Sequence, residues 1–318
     1  MQFTVRSLGG KLVAFATLTL LLCMVLFALL SWGLLRFYAE QAAKSDAQAH
    51  LALLKRAYQA HTTSFVHNMD MVAGDPNVVR LVAQPSTPAI HDQLHDVLTP
   101  PFLRHRLTTL LLVAQDHHLL AQIGDDDSGA TQVVALVDRA LQKGMMVAVR
   151  QIALSDASQR SNDARWVLSV VLPLHTDQLK ARYVLLASET VDDYFAQDLL
   201  QSTNTHVILC LAEHIEGEAG SAIKSRISAQ HMPDNAICTG SAAPFIVNVG
   251  QRYLMLASTV DAPYQTSDSP SLAVVAVEPL FGIDARNPRM LFIILGMGLF
   301  IFALGVSIYT LCAWRQVA

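Results

Sequence analysis

The side chains in this sequence that are able to do chemistry are few and scattered. His91 and His95 stand at i and i+4, a spacing that brings two imidazoles onto one helix face and suits a zinc ion, but no third ligand follows them. They read as exposed residues of a connector helix. His117 and His118 share a polar turn and cannot aim at one point. Asp125, Asp126 and Asp127, ahead of Ser128 and Gly129, offer carboxylates of the kind calcium takes, without the loop spacing that would gather six to eight oxygens. A solvated turn accounts for them. No G-x-S-x-G elbow and no glycine-rich phosphate loop occurs, so neither an enzyme nor a cofactor is expected. Of the four cysteines, Cys23 and Cys312 fall inside long apolar runs, leaving Cys210 and Cys238 to a water-facing region. These two either form one disulfide or pack as two buried thiols.

The elements that position these residues begin and end in apolar chain. Residues 12–35 and 290–314 carry no charge, and each is long enough to cross a hydrocarbon core of ~30 Å. A cleavable signal has an apolar core of only ~7–15 residues, so the first run reads as an uncleaved anchor. Arg6 and Lys11 precede the first run, against Arg36, Arg286 and Arg289 on the far side, which nearly balances the positive-inside count. Long segments translocate largely regardless of charge, so the expectation is a multi-pass protein of the cell membrane with cytoplasmic termini and an extracytoplasmic, periplasmic centre. The formal net charge of −4 comes without a basic stripe, which excludes nucleic acid as a partner.

Between the runs, residues 36–75 contain no proline and no glycine before Gly74. Leu51, Leu54, Tyr58, Phe65, Met69 and Val72 recur at helical spacing, which predicts one long stalk helix stopped by Gly74 and Pro76. Its apolar face serves either as a homodimer seam or as packing against its own domain. AIHDQLHDVL, fenced by Pro88 and by Pro100 with Pro101, predicts a short helix. LTTLLLVA and LLAQI predict a hairpin, and TQVVALVDRALQKG a helix with Val133, Leu136, Val137, Ala140 and Leu141 on one face. MMVAVRQIAL, WVLSVVLPL and RYVLLAS predict antiparallel strands. Thr190 with Asp193 matches a capping box ahead of a helix that buries Phe195 and Leu199. VILCLAE, PFIVNVG, RYLMLAS and LAVVAVEPL add further strands. RYVLLASETVDDYF is faintly echoed by RYLMLASTVDAPY, which fits two related modules in tandem.

The fold class is therefore α+β: two transmembrane helices flank a long stalk helix and two antiparallel-sheet modules. The divisions are a cytoplasmic start at 1–11, a first membrane helix at 12–35, the stalk at 36–75, a membrane-distal module at 76–205, a membrane-proximal module at 206–289, a second membrane helix at 290–314 and a tail at 315–318. This order resembles the tandem, or double, Cache sensor domains of bacterial transmembrane receptors, which are PAS-like. LLLVAQDHHLLAQIG resembles the central hairpin of that family, VLSVVLPLHTDQLKARYVLLASETVDDYF its paired strands and exit helix, and LAVVAVEPLFGID its final strand. The likeness covers roughly residues 38–285.

The resemblance implies a sensor whose small-molecule ligand enters the first module and which signals through its membrane helices. The family's amino-acid signature, a tyrosine followed by Arg-x-Trp-Tyr and a later aspartate, is absent, because Arg165 and Trp166 are adjacent. Arg165, Trp166, Tyr183 and Asp193 are the candidate ligand-lining residues of that module. Receptors of this kind continue into a HAMP linker and an output domain; WRQVA resembles the start of such a linker, so the chain is either a stand-alone sensor acting on a signalling partner or part of a longer receptor. For a ligand to move the stalk, the pocket is expected to touch both sheet and stalk helix. The alternative reading is a membrane-anchored scaffold that binds another protein and no small ligand.

Overall fold

The computed structural model describes residues 8–125, 131–153, 164–174, 183–220, 235–238, 244–248, 252–266 and 269–280, together with Gly296 and Gly305. Two units divide the chain: residues 1–45 with 279–318, and residues 46–278. In the first unit, helix α1 (Leu8–Ala73, continuing into the second) opens with the apolar run. Phe15, Leu18, Leu21, Leu22, Leu26 and Leu30 are each more than half exposed. It is the one helix among the described residues long and apolar enough to cross a membrane. Of the second run, 290–314, only Gly296 and Gly305 are described, both helical; the rest of that expected span lies outside the described residues.

Inside the second unit the stalk half of α1 buries Leu51, Leu54, Tyr58, Phe65 and Met69 of the stripe expected from spacing, with Thr62 in the same row, while Val72 is only half-buried. The Thr62 hydroxyl donates back to the Tyr58 carbonyl at 2.9 Å, which satisfies it without a distant partner. The apolar face of the stalk is thus consumed by packing within its own unit. Two short helices follow, α2 (Pro76–Val82) and α3 (Pro88–Arg104). The expected stop at Pro100 and Pro101 does not occur, and α3 runs through both. Proline already has a helical φ, so each of the two fits the helix at the loss of its own N–H bond to the residue four before it. Buried Leu94 and Leu98 and the His105 N–H bond to the Pro101 carbonyl hold the final turn.

The first sheet contains β1 (Thr109–Ala114), β2 (Leu119–Gly124), β3 (Met146–Ala153), β4 (Ala164–Pro173) and β5 (Tyr183–Thr190), ordered β2-β1-β5-β4-β3. Each neighbouring pair, β1 with β2, β1 with β5, β4 with β5 and β3 with β4, is antiparallel. Helix α4 (Thr131–Lys143) lays Val133, Leu136, Val137 and Ala140 over Leu111, Val113, Met146, Ala148, Val171, Val184 and Leu186. Helix α5 (Asp193–Thr203) leads out of β5. Its N-cap is Asp192, which accepts from the Tyr194 and Phe195 N–H groups, and not Thr190 as the capping-box pattern predicts. Thr190 stays in the strand, where its hydroxyl pairs with that of Thr108 at 2.6 Å.

The second sheet contains β6 (Val207–Leu211), β7 (His214–Ala219), β8 (Phe245–Asn248), β9 (Arg252–Val260) and β10 (Leu272–Pro279), ordered β7-β6-β10-β9-β8. Both sheets therefore run second, first, fifth, fourth, third. The duplication is topological, and the sequence echo misaligns it: RYVLLAS is the fifth strand of one sheet, RYLMLAS the fourth of the other. A short helix, α6 (Asn235–Cys238), carries one half of the disulfide between Cys210 and Cys238, whose Cα atoms are 5.5 Å apart.

Strand β7, absent from the strands expected from the sequence, is an edge strand that buries only alternate residues, Ile215, Gly217 and Ala219. A Cβ on Gly217 would meet the Asp192 carbonyl oxygen at 2.4 Å, too close for any side chain. Gly217→Ala is expected to cost about 1–3 kcal/mol by overpacking. Thermal unfolding of the whole chain in detergent measures this, and an unchanged midpoint would mean that the α5–β7 contact yields freely.

Candidate ligand pocket

Strand alternation sends Met146 and Ala148 of β3 toward α4, and the next residue of that face is Arg150. A cation in an apolar strand is expensive to bury unless hydrogen-bonded, and Arg150 is 5% exposed. Its Nε donates to Ser169 Oγ at 2.9 Å and its Nη2 to Ser188 Oγ at 3.2 Å, while the two serine hydroxyls lie 2.9 Å apart. Ser169 is in register with Ser188, and Ser188 with Thr109. A buried polar row therefore crosses four strands at one end of a sheet whose other end is apolar. Thr109 Oγ1 at the end of the row is buried and has no hydrogen-bond partner among the described residues.

At the β3 end of this row a pocket of about 270 Å³ opens along the sheet edge. Gln132, Leu136 and Arg139 line it from α4, Arg150 and Gln151 from β3, and Trp166 from β4. Its outer wall is the loop between β9 and β10, through Thr266, Ser269 and Pro270. That loop is tied to the edge strand by four bonds: Val147 N–H to the Tyr264 carbonyl at 3.0 Å, Thr266 N–H to the Val147 carbonyl at 3.1 Å, Val149 N–H to Ser269 Oγ at 2.6 Å and Ser269 Oγ to the Val149 carbonyl at 3.0 Å. Gln265 stiffens the loop, accepting from the Ala262 N–H and donating to the Pro270 carbonyl. The edge strand is thereby covered and the pocket has a wall from the second sheet's module.

Two guanidinium groups, Arg139 and Arg150, line this pocket, and none of the described lining residues is acidic. A planar guanidinium matches a carboxylate or phosphate through paired N–H bonds, and such bonds gain strength where water is excluded. Trp166 adds a flat apolar surface.

Of the four candidate ligand residues, Trp166 alone lines the pocket. Arg165, its neighbour on the strand, is exposed. Tyr183 sits at the opposite end of β5: the Val191 N–H bonds the Trp166 carbonyl, and eight residues of strand, roughly 26 Å, separate Val191 from Tyr183. Asp193 accepts the Glu218 N–H at 2.9 Å and so links α5 to β7. The four are not brought together. Arg150 and Arg139 escaped the sequence reading, although a lone arginine in MMVAVRQIAL is a visible anomaly. No stalk residue is among the described residues that line this pocket. The link is indirect: Ser188 bonds Arg150 on one face of β5, and the next residue, Glu189, bonds His61 of the stalk at 2.7 Å on the other.

The histidines and acids weighed for metals have local roles. His91 pairs with the Ser86 hydroxyl, His95 contacts Thr99, and His117 meets Asp138 at 2.9 Å. Asp126 and Asp127 lie outside the described residues. Among the described residues, no three of His, Cys, Asp and Glu gather in a way that could hold a metal.

The class of fold, a long helix carrying two five-stranded sheets of one topology, recurs among solved structures. The extracellular domain of vpHK1S-Z8, assigned as a histidine kinase, superposes with a TM-score of 0.53 at 12% identity, over 78% of this chain and 95% of that one. The ligand-binding domain of the Campylobacter jejuni chemoreceptor Tlp3, in complex with 4-methylisoleucine, does so with a TM-score of 0.50 at 11% identity, over 77% and 94%. At such identities what is shared is the fold. No family model matches the sequence, and no curated protein does.

Proposed function

We propose that this chain is a transmembrane sensor whose extracytoplasmic, tandem Cache-like region binds a small molecule in the pocket at the β3 edge and signals through membrane helices at 12–35 and 290–314. The observation that carries this reading is the pocket itself, built around a buried arginine on a polar row, where a scaffold would need only a filled core. The disulfide favours an oxidising, exported location. The fold shared with extracellular receptor domains supports a binding role over a catalytic one. A ligand acts here by preferring one of two arrangements of strand and stalk, and displacements of an ångström or two suffice.

The test is a thermal-shift screen of the whole chain in lipid nanodiscs against small metabolites. A ligand at a hundred times its Kd adds about 2.7 kcal/mol, so one chemical class should raise the midpoint reproducibly. No shift across a broad library, with the protein folded, overturns the reading in favour of a protein partner.

A further inference from the structure

The stalk meets each sheet through one histidine–glutamate pair. His61 Nε2 lies 2.7 Å from Glu189 Oε1 at the end of β5, and His50 Nδ1 contacts Glu278 Oε1 at the end of β10. β5 and β10 are the fifth, central strands of their sheets. Eleven residues, three helical turns, separate the histidines, so both project from one face of α1. The same device thus joins the same helix to the same strand of both modules.

The His61 pair is the more enclosed, with side-chain exposures of 28% and 14%. The Phe195 ring of α5 stands edge-on to the imidazole at 4.9 Å, and buried Tyr58 lies one turn away on α1. The charged groups acting on His61 are Glu189 from β5 and Asp198 from α5; Asp261 acts on Tyr58. Burial pulls the His61 pKa down, but the hydrogen bond and charge of Glu189, with Asp198, outweigh it and leave it raised above 6.5. A raised folded-state pKa means that the contact is at full strength below 6.5 and is lost as pH rises through the raised value.

We propose that His61 and Glu189 form a proton-operated clasp that sets how firmly the stalk helix is held to the central strand of the first sheet, making external pH a second input to the protein. The neighbouring Ser188–Arg150 bond places the clasp one residue from the pocket, so on the sensor reading given above proton and ligand influence each other reciprocally.

Hydrogen exchange of the whole chain in nanodiscs, without ligand, tests the clasp independently of that reading. After correction for intrinsic rates, protection of stalk amides around residue 61 is expected to fall about three- to tenfold between pH 6 and pH 8.5, the difference between a charge-assisted and a neutral hydrogen bond. His61→Gln and Glu189→Gln should each flatten this profile, whereas His50→Gln should leave it in place around residue 61. An unchanged profile in both clasp variants, or no pH dependence in the wild type, overturns the proposal. Should the variants fail to fold, the wild-type His61 imidazole can be followed by NMR with labelled histidine, and titration below 6.5 overturns it equally. A library screen that finds no ligand leaves every one of these outcomes intact.

Discussion

Replacing Arg150 with methionine is expected to leave the chain folded and to weaken binding of the compound identified by the screen about 30- to 5,000-fold, the cost of about 2–5 kcal/mol for truncating one partner of a buried charged contact. Methionine keeps most of the stem volume that packs beneath α4. It leaves Ser169 and Ser188 bonded to each other at 2.9 Å, so the substitution strands few polar atoms. Replacing a buried charge with an apolar side chain of similar size is commonly close to neutral for folding, which separates the binding effect from the folding effect. Tyr183→Ala is the control, because Tyr183 lies at the far end of β5 and should leave affinity unchanged. Isothermal titration decides the matter. Equal affinity in the Arg150 variant would remove the pocket from the binding reaction, and equal losses in both variants would point to a general loosening of the sheet.

Removing the Cys210–Cys238 bridge should have the next largest effect. The sulfurs join β6 to α6 across a sequence separation of 28, within an apolar cluster that includes Ile208, Ile237, Tyr253 and Met255. On the chain-entropy model, closing a loop of that length contributes roughly 3–4 kcal/mol. At about 2–4 °C per kcal/mol for a domain of this size, the Cys210→Ala, Cys238→Ala variant is expected to melt about 6–16 °C lower. Reductant should lower the wild type by a similar amount and leave the variant where it is. Cys23, exposed on the apolar helix, serves as the internal control for thiol labelling. A wild type whose melting ignores reductant would mean that the unfolded chain, and not the bridge, sets the stability of this module.

Much of the architecture was legible before any coordinates. The stalk stripe at Leu51, Leu54, Tyr58, Phe65 and Met69, the hairpin of β1 and β2, and the buried face of α4 all follow from periodicity, because a period of 3.6 or 2 reports directly which face avoids water. The passages that misled were those where a local rule met a tertiary exception. Pro100 and Pro101 look like a stop, but the burial of Leu94 and Leu98 holds the helix through them. β7 looks like a polar loop because an edge strand needs only alternate burial. Thr190 looks like a cap, yet Asp192 is better placed for the Tyr194 and Phe195 amides.

By itself, the sequence determined the apolar runs, the stalk, the identity of most strands and the absence of a catalytic motif, since each depends on residues close together in the chain. Only the tertiary structure decided the rest. The pocket depends on a loop reaching β3 across 120 residues, and the clasp joins residues 128 apart. The shared topology of the sheets depends on strand registers that no repeat in the letters records. Periodicity says which face of an element is buried. It does not say what that face meets, because partner choice is a competition among all the buried faces of the chain and is settled only when they pack together.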